Sequence, residues 1–330
     1  MRRKSFGIFV FLVAAALALT PAPLLAASEH RVALVIGNAH YAGADELINP
    51  LHDAEDMCAA LKRLGFETLC HNDVKTRKEF FDRLDEFANR LKPASKGLFF
   101  YAGHAVQISG ENYLVPIQAG VQSIADVPRV LVALQQILSR LKKTNNEFNM
   151  IILDACRDNP FSRTTPTAAR GLRVIGNRSP SSALPSSPLA SEVVYGLGTI
   201  RDAPRGSIVL YATGSDEAAF DGEGRNGPLT KHLLAHLETP SITVEEMIKR
   251  VTSGVESDTL RTIGRRQTPF QYSSFSGEFC FAGCGPKVDA AEVERLRRER
   301  ADLEKRLNER SASPDQPRKQ EQRVFVPPAL

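Results

Sequence analysis

Two residues that together can perform nucleophilic chemistry follow apolar segments of the sequence. His104 stands two residues after GLFFYA at 97–102, and Cys156 stands two residues after NMIILD at 149–154. An imidazole can take the proton of a neighbouring thiol, which then attacks as a thiolate, and the charge of Arg157 favours that thiolate. Each residue alone also has an ordinary structural use, as a small buried cysteine or a hydrogen-bonded histidine. The pair together predicts cysteine-dependent catalysis.

The segments before these residues belong to an alternation of apolar strands and amphipathic helices. We predict strands at 31–37, 66–70, 97–102 and 149–154, a short extended arm at 112–117, and helices at 53–64, 77–91 and 130–141. This alternation indicates an α/β fold with a mainly parallel sheet. Ligands bind at the carboxyl ends of such strands, and if the strands before His104 and Cys156 are neighbours, these two residues approach each other at one sheet edge.

The second half of the chain resumes the pattern after an interruption. Residues 162–205 are rich in Ser, Pro and Arg and predict a long exposed loop. A strand at 207–212, helices near 228–238 and 244–256, and an extended segment at 269–281 follow. We therefore predict one domain over 28–285, with a larger part at 28–161 and a smaller part at 206–285.

Both ends of the chain lie outside that domain. Residues 1–27 combine a basic start with an apolar run and predict an export signal, with an uncleaved anchor as the alternative. The formal charge is +4 for 330 residues and falls to +1 without the three basic residues of this leader, so charge gives no support to nucleic-acid binding. Residues 287–310 predict an amphipathic helix, either a weak coiled coil or a solvated helix packed on its own domain, and 311–330 predict a disordered tail.

Several motifs, taken in order, carry a family resemblance. They are VALVIGNAHY at 32–41, LHDAEDM at 51–57, YAGH at 101–104, ENYLVPI at 111–117, DACRDNPF at 154–161 and GSIVLYAT at 206–213. Over about 31–282 the sequence resembles the caspase-like cysteine peptidases, and is more similar to metacaspases and their bacterial relatives than to animal caspases. The resemblance implies a caspase-like three-layer αβα fold with a central, mostly parallel sheet, to which the predicted C-terminal helix is added.

The resemblance also assigns catalytic roles. It implies that Cys156 is the nucleophile and that His104 is the general base and later the general acid. The oxyanion hole would be formed by the backbone N–H groups of Cys156 and Ala105. The family usually has Gly at position 105, and Ala105 would be strained there if the position requires a positive φ. Ala102, where relatives often have Ser, is a second departure.

Specificity follows from charge in this family. The resemblance implies that Asp53 and Asp154, with Asp216 as a weaker third candidate, hold an Arg or Lys side chain on the amino side of the cleaved bond. Asp53 can instead be a helix N-cap and Asp216 a turn residue. The arginines of the 162–205 loop suggest self-cleavage, with a passive linker as the alternative.

The predicted function is an exported cysteine endopeptidase, periplasmic or secreted, that acts on proteins or peptides. One alternative is a non-catalytic caspase-like scaffold that binds peptides or partners, which Ala102 and Ala105 favour; another is a different cysteine-dependent hydrolase. No metal or nucleotide motif is present, so no cofactor is required, and no acidic loop indicates the calcium activation of some relatives. No stable membrane span is expected after signal removal, and self-association through 287–310 is possible.

The five cysteines complete the prediction. In an oxidising compartment spare thiols tend to pair, and five is an odd number. Cys280 and Cys284 are close in sequence, and Cys58 and Cys70 lie on a helix and on the strand that follows it. These two pairs, as a hypothesis, leave Cys156 as the free thiol.

Overall fold

The computed structural model describes residues 29–42, 46–108, 110–121, 123–156, 193–194, 200, 203–214, 219–220, 222, 224–285 and 290–311. The predicted export signal, Arg157 and Asp216 lie outside the described residues, as do most of the predicted 162–205 loop and all of the predicted tail after Ser311.

The described residues form strands and helices that largely follow the sequence pattern. The strands are β1 Arg31–Gly37, β2 Glu67–Asn72, β3 Lys96–Ile108, β4 Glu111–Leu114, β5 Val132–Ala133, β6 Phe148–Cys156, β7 Val193–Val194, β8 Ser207–Tyr211 and β9 Phe270–Ser273. The helices are α1 Pro50–Arg63, α2 Arg77–Arg90, α3 Val127–Val130, α4 Leu134–Thr144, α5 Pro228–Leu237, α6 Val244–Ile263 and α7 Ala290–Ser311.

The strands make one sheet in the order β2-β1-β3-β6-β8-β9. The first five of these strands are parallel, and β9 is antiparallel to β8. A small antiparallel extension grows from the end of β3, where β4 and β7 pair with β3, and β5 pairs with β4. The parallel sheet thus contains strands from both halves of the sequence.

Helices cover both faces of this sheet. Side chains such as Val35, Phe100 and Ile152 share one apolar core with α1, α5 and α6. Their neighbours Leu34, Phe99 and Ile151 share a second core with α2 and α4. Because consecutive side chains of a strand point to opposite faces, strands with two buried faces are apolar throughout, as the sequence shows. The caspase-like three-layer arrangement is confirmed.

Several elements differ from the sequence prediction, and three of the differences bear on the site. β3 does not end before Gly103 but continues to Ile108, because from Ala105 onward it pairs with β4. The third predicted helix begins only at Leu134, because Val132–Ala133 extends along β4 as β5. The predicted 162–205 loop contributes β7, which pairs with Gln107 and Ile108.

Two disulfides join the cysteines in the predicted pairs. Cys58 on α1 is bonded to Cys70 on β2 with 6.3 Å between their Cα atoms, and Cys280 is bonded to Cys284 with 5.1 Å. The first disulfide ties a helix to the neighbouring strand of the parallel sheet, and the second closes a short loop beyond β9.

The C-terminal helix α7 does not bury its apolar stripe. Leu296, Leu303 and Leu307 are 49%, 64% and 71% exposed, so these leucines are not packed on the peptidase domain. None of the helices in the described part of the chain has the length and apolar character that a membrane span requires.

Candidate active site

The sheet register brings the two predicted catalytic residues together. His104 on β3 pairs with Cys156, the last residue of β6, and two residues earlier Ala102 pairs with Asp154. Neighbouring strands lie about 4.8 Å apart, so the backbones of His104 and Cys156 are adjacent. His104 lies within β3 rather than after it, yet it is the last β3 residue that pairs with β6. The parallel part of the sheet ends at this pair.

The peptide unit of His104 is held by two tyrosines. Its N–H donates to Tyr41 Oη at 2.7 Å, and its carbonyl oxygen accepts from Tyr101 Oη at 2.8 Å and from Val115 N–H at 3.1 Å. The ring of Tyr41 also contacts the imidazole, with 4.4 Å between the ring centroids. His104 is 3% exposed, so these contacts are shielded from water.

Ala105 lies in an ordinary extended conformation. The non-glycine residues of the described chain with positive φ are Asp73, Asn145 and Ser241, so the strain that Ala105 would have at a positive φ is absent. The Ala105 N–H also has a definite direction. His104 uses its N–H and C=O on the side of β1 and β4, and successive peptide groups of a strand face opposite edges. The Ala105 N–H therefore faces the side of β6.

A close contact between β1 and α1 positions Asp53. A Cβ on Gly37, the last residue of β1, would lie 2.7 Å from the Cβ of Ala54, so α1 approaches the end of β1 only because Gly37 has no side chain. Asp53 lies in the first turn of α1, behind the N-cap Asn49. Asp53 is therefore not the N-cap of α1, which was the alternative considered from sequence. Its carboxylate instead accepts a hydrogen bond at the start of α5.

The carboxylates of Asp53 and Asp154 meet at the N-terminus of α5. Asp53 Oδ1 accepts from Gly227 N–H at 3.0 Å, and Asp154 Oδ2 accepts from the N–H and hydroxyl of Thr230 at 3.2 and 2.6 Å. The unsatisfied N–H groups at a helix start favour negative charge, which lets two carboxylates share this place. The structure thus brings together two of the three predicted specificity residues, while Asp216 lies outside the described residues.

An ion-pair cluster holds the chain before α5 against α1. Arg225 Nη2 lies 2.7 Å from Glu55 Oε2, Arg225 Nε lies 2.9 Å from Asp56 Oδ2, and Asn226 donates to the same Asp56 oxygen. The hydrogen bond from Arg225 lowers the pKa of the Asp56 carboxyl despite its partial burial. This cluster fixes the segment that presents Gly227 to Asp53.

The described residues contain one group of three potential metal ligands, in the segment beyond β9. The ligand atoms of Glu278, Cys280 and Cys284 lie within 4.8 Å of one another. The two sulfurs are joined to each other in the disulfide and are therefore not thiolate ligands in this state.

Sequence patterns did not indicate four residues of this site. Tyr41 and Tyr101 lie in the motifs that carry the family resemblance, but nothing in their spacing shows that their hydroxyls reach His104. Gly227 and Thr230 belong to NGPLT at 226–230. One signal was available there. Pro228 is typical of the first position of a helix, but the residue before it is Gly227 and not the Ser, Thr, Asn or Asp that usually caps a helix start.

Comparison with known proteins agrees with this geometry. Residues 30–280 match the sequence model of the caspase domain. The human mucosa-associated lymphoid tissue lymphoma translocation protein 1 and its mouse homolog are each 30% identical to this chain over 140 residues. That alignment covers 42% of this chain and 16% of each relative, so the chain corresponds to a small part of their length. The match over most of the sequence and the three-layer fold place the chain in the caspase-domain family of cysteine-type peptidases.

Proposed function

We propose that this protein is an exported cysteine endopeptidase that cleaves after Arg or Lys, with Cys156 as nucleophile and His104 as base. The observation that carries the proposal is the convergence of Asp53 and Asp154 beside the register pair of His104 and Cys156. A nucleophile, a base and two carboxylates at one sheet edge suit a substrate with a cationic side chain.

The proposed reaction begins with proton transfer from the Cys156 thiol to the imidazole of His104. The thiolate attacks the scissile carbonyl carbon and forms a C–S bond, and the negative charge moves to the carbonyl oxygen. The backbone N–H groups of Ala105 and Cys156 are the proposed donors to that oxygen, which the direction of the Ala105 N–H supports. The imidazolium then protonates the leaving amine as the C–N bond breaks, and water hydrolyses the thioester with His104 as base.

The specificity proposal rests on charge and geometry. Asp53 is 3% exposed and Asp154 is partly buried, and both direct an Oδ2 atom to the same point near Gly227. Two such oxygens can accept hydrogen bonds from one guanidinium, which is stronger than a single contact to an exposed carboxylate. An acidic side chain at this point would meet like charge, so substrates with Asp are expected to be poor.

Fluorogenic peptides that differ only in Arg, Lys or Asp before the cleaved bond test the proposal. Purified wild-type protein is expected to hydrolyse the Arg and Lys peptides, and Cys156→Ala protein is expected to hydrolyse none. Asp53→Asn should reduce the rate on the Arg and Lys peptides more than on a peptide with a neutral residue. Equal hydrolysis by wild type and Cys156→Ala, with and without calcium, would contradict the catalytic assignment. A preference for Asp would contradict only the specificity assignment.

Export and self-processing are separate parts of the proposal. The two disulfides support an oxidising compartment, and N-terminal sequencing of protein from the periplasm and medium is expected to begin near residue 28. Self-cleavage is expected in the 162–205 loop of the wild-type protein. Identical intact bands of wild type and Cys156→Ala on a denaturing gel would exclude self-processing without affecting the peptidase assignment.

A further inference from the structure

The backbone of His104 lies where the sheet changes its pairing. Up to His104, β3 is parallel to β6, and from Ala105 it is antiparallel to β4. On the other side β1 ends at Gly37, which pairs with Ala102. Ala102 O still accepts from Asn38 N–H at 2.9 Å, but no β1 residue pairs with His104. The phenol oxygen of Tyr41 accepts the His104 N–H in place of a strand carbonyl.

A phenol can both accept and donate, which a carbonyl cannot, and the hydrogen bonds therefore continue. His104 N–H donates to Tyr41 Oη at 2.7 Å, and Tyr41 Oη lies 3.3 Å from Tyr101 Oη. Tyr101 Oη has two acceptors for its one proton, His104 O at 2.8 Å and Val115 O at 3.1 Å, and His104 O is the nearer. With the Tyr41 proton directed at Tyr101 and the Tyr101 proton at His104 O, the three bonds form a closed hydrogen-bonded ring that begins and ends on His104.

Gly103 makes room for this ring. Its φ is +152°, a conformation that side-chain-bearing residues rarely adopt. A Cβ at Gly103 would lie 2.5 Å from Tyr41 Oη and 2.8 Å from Tyr101 Oη, so both hydroxyls occupy the space that a side chain would need. A glycine beside His104 would by itself give the backbone wide conformational freedom. The hydroxyls of Tyr41 and Tyr101 restrict that freedom because they hydrogen-bond to His104.

We propose that Tyr41 and Tyr101 are positioning residues that fix the His104 imidazole for its two proton transfers. They contact the backbone and ring of His104 and do not themselves react. A misplacement of about 1 Å in a catalytic group can cost about 100-fold in rate, so rigid support of the base is valuable. Both tyrosines are buried, at 8% and 0% exposure, which strengthens the hydrogen bonds because water does not compete.

This inference rests on the proposed use of Cys156 and His104 and is tested with Tyr41→Phe, Tyr101→Phe and the double variant. Tyr41→Phe keeps the aromatic ring that contacts His104 and removes only the hydroxyl, which accepts from His104 N–H and can donate to Tyr101. We expect kcat to fall about 10- to 100-fold with KM nearly unchanged, because His104 acts in the chemical step. Because both hydroxyls belong to the same hydrogen-bonded ring, kcat of the double variant is expected to be little lower than that of Tyr41→Phe alone.

Thiol reactivity provides a readout that does not need a substrate. The pH midpoint for alkylation of Cys156 by iodoacetamide is expected to rise in Tyr41→Phe, because a displaced imidazolium stabilises the thiolate less. Tyr113→Phe is the matched control. Tyr113 lies on β4 opposite Val106, outside the ring, and its loss of a hydroxyl should leave kcat and the alkylation profile unchanged.

The outcomes separate this inference from the proposed function. If wild type shows no Cys156-dependent turnover, the proposed function fails. If wild type is active and folded Tyr41→Phe keeps the wild-type kcat and alkylation midpoint, the positioning role is refuted. Loss of activity in Tyr41→Phe together with an unchanged alkylation profile would likewise refute it, because the defect would then not lie in the pairing of His104 with the thiol.

Discussion

Gly227 offers the sharpest test of the specificity proposal. Its backbone has φ −59° and ψ 156°, which any residue can adopt, so a glycine is not required there for conformation. Its ideal Cβ would instead lie 3.3 Å from Asp154 Oδ2, 3.4 Å from Asp53 Oδ2 and 3.8 Å from Asp154 Oδ1. A methyl group on residue 227 would thus contact the carboxylate oxygens that we propose bind a cationic side chain of the substrate.

Gly227→Ala is therefore expected to impair the binding of an arginine side chain. A hydrogen bond to a charged group contributes about 1.5–3 kcal/mol, and loss of one reduces kcat/KM about 10- to 100-fold. The compact ammonium of Lys needs less room than the planar guanidinium, so the loss on Lys peptides should be smaller. The unfolding free energy should change by roughly 1 kcal/mol or less, since only an N-cap glycine is replaced.

The assay compares kcat/KM for Arg and Lys peptides in wild type, Gly227→Ala and Gly224→Ala. Gly224 lies in the same segment, and among the described residues a Cβ there would meet only Asn226 O, at 3.8 Å, so its variant should match wild type on both peptides. An unchanged ratio of Arg to Lys cleavage in folded Gly227→Ala would refute the reasoning. A general loss on all peptides with a large drop in stability would also refute it.

Three further predictions concern stability. The hydrogen bond that His40 Nδ1 donates to Asp73 Oδ2, at 2.6 Å, raises the pKa of His40. The contribution of this pair to the unfolding free energy is therefore full below about pH 6.5 and is lost as pH rises through the raised pKa. Urea unfolding should therefore show a larger effect of His40→Ala near pH 6 than near pH 9; a larger effect near pH 9 would contradict this sign. The Cys58–Cys70 disulfide joins residues 12 apart in sequence, and its loss in Cys58→Ser should lower the unfolding free energy by about 3 kcal/mol relative to oxidised wild type. An unchanged unfolding free energy would show that this loop is already ordered in the unfolded chain. Removal of 290–330 should leave the unfolding midpoint unchanged because α7 exposes its leucines, whereas a large decrease would show that α7 packs on the domain.

The sequence alone was sufficient to predict the architecture and to place His104 and Cys156 at one edge of the sheet. Apolar strands alternating with amphipathic helices require a sheet covered on both faces, and parallel strands place their carboxyl ends together. His104 and Cys156 therefore had to approach each other if β3 and β6 were neighbours, and the register pairs them. The pairing of the other four cysteines could be predicted for a similar reason. Cys280 and Cys284 are close in sequence, and Cys58 and Cys70 lie on a helix and on the strand that follows it.

Tertiary structure decided what surrounds those residues. Tyr41 contacts a backbone group 63 residues away, and Asp53 accepts a hydrogen bond from the N-cap residue of a helix 174 residues further along the chain. Such contacts depend on where β1 ends, on how closely α1 approaches Gly37 and on which strand pairs with β3 beyond His104. Periodicity in the sequence indicates which face of an element is buried, but it does not give the distance between segments that are far apart along the chain. The sequence was therefore enough to predict a nucleophile, a base and the sheet that carries them. Only the packing of distant segments determined the groups that hold His104 and the helix terminus that Asp53 and Asp154 share.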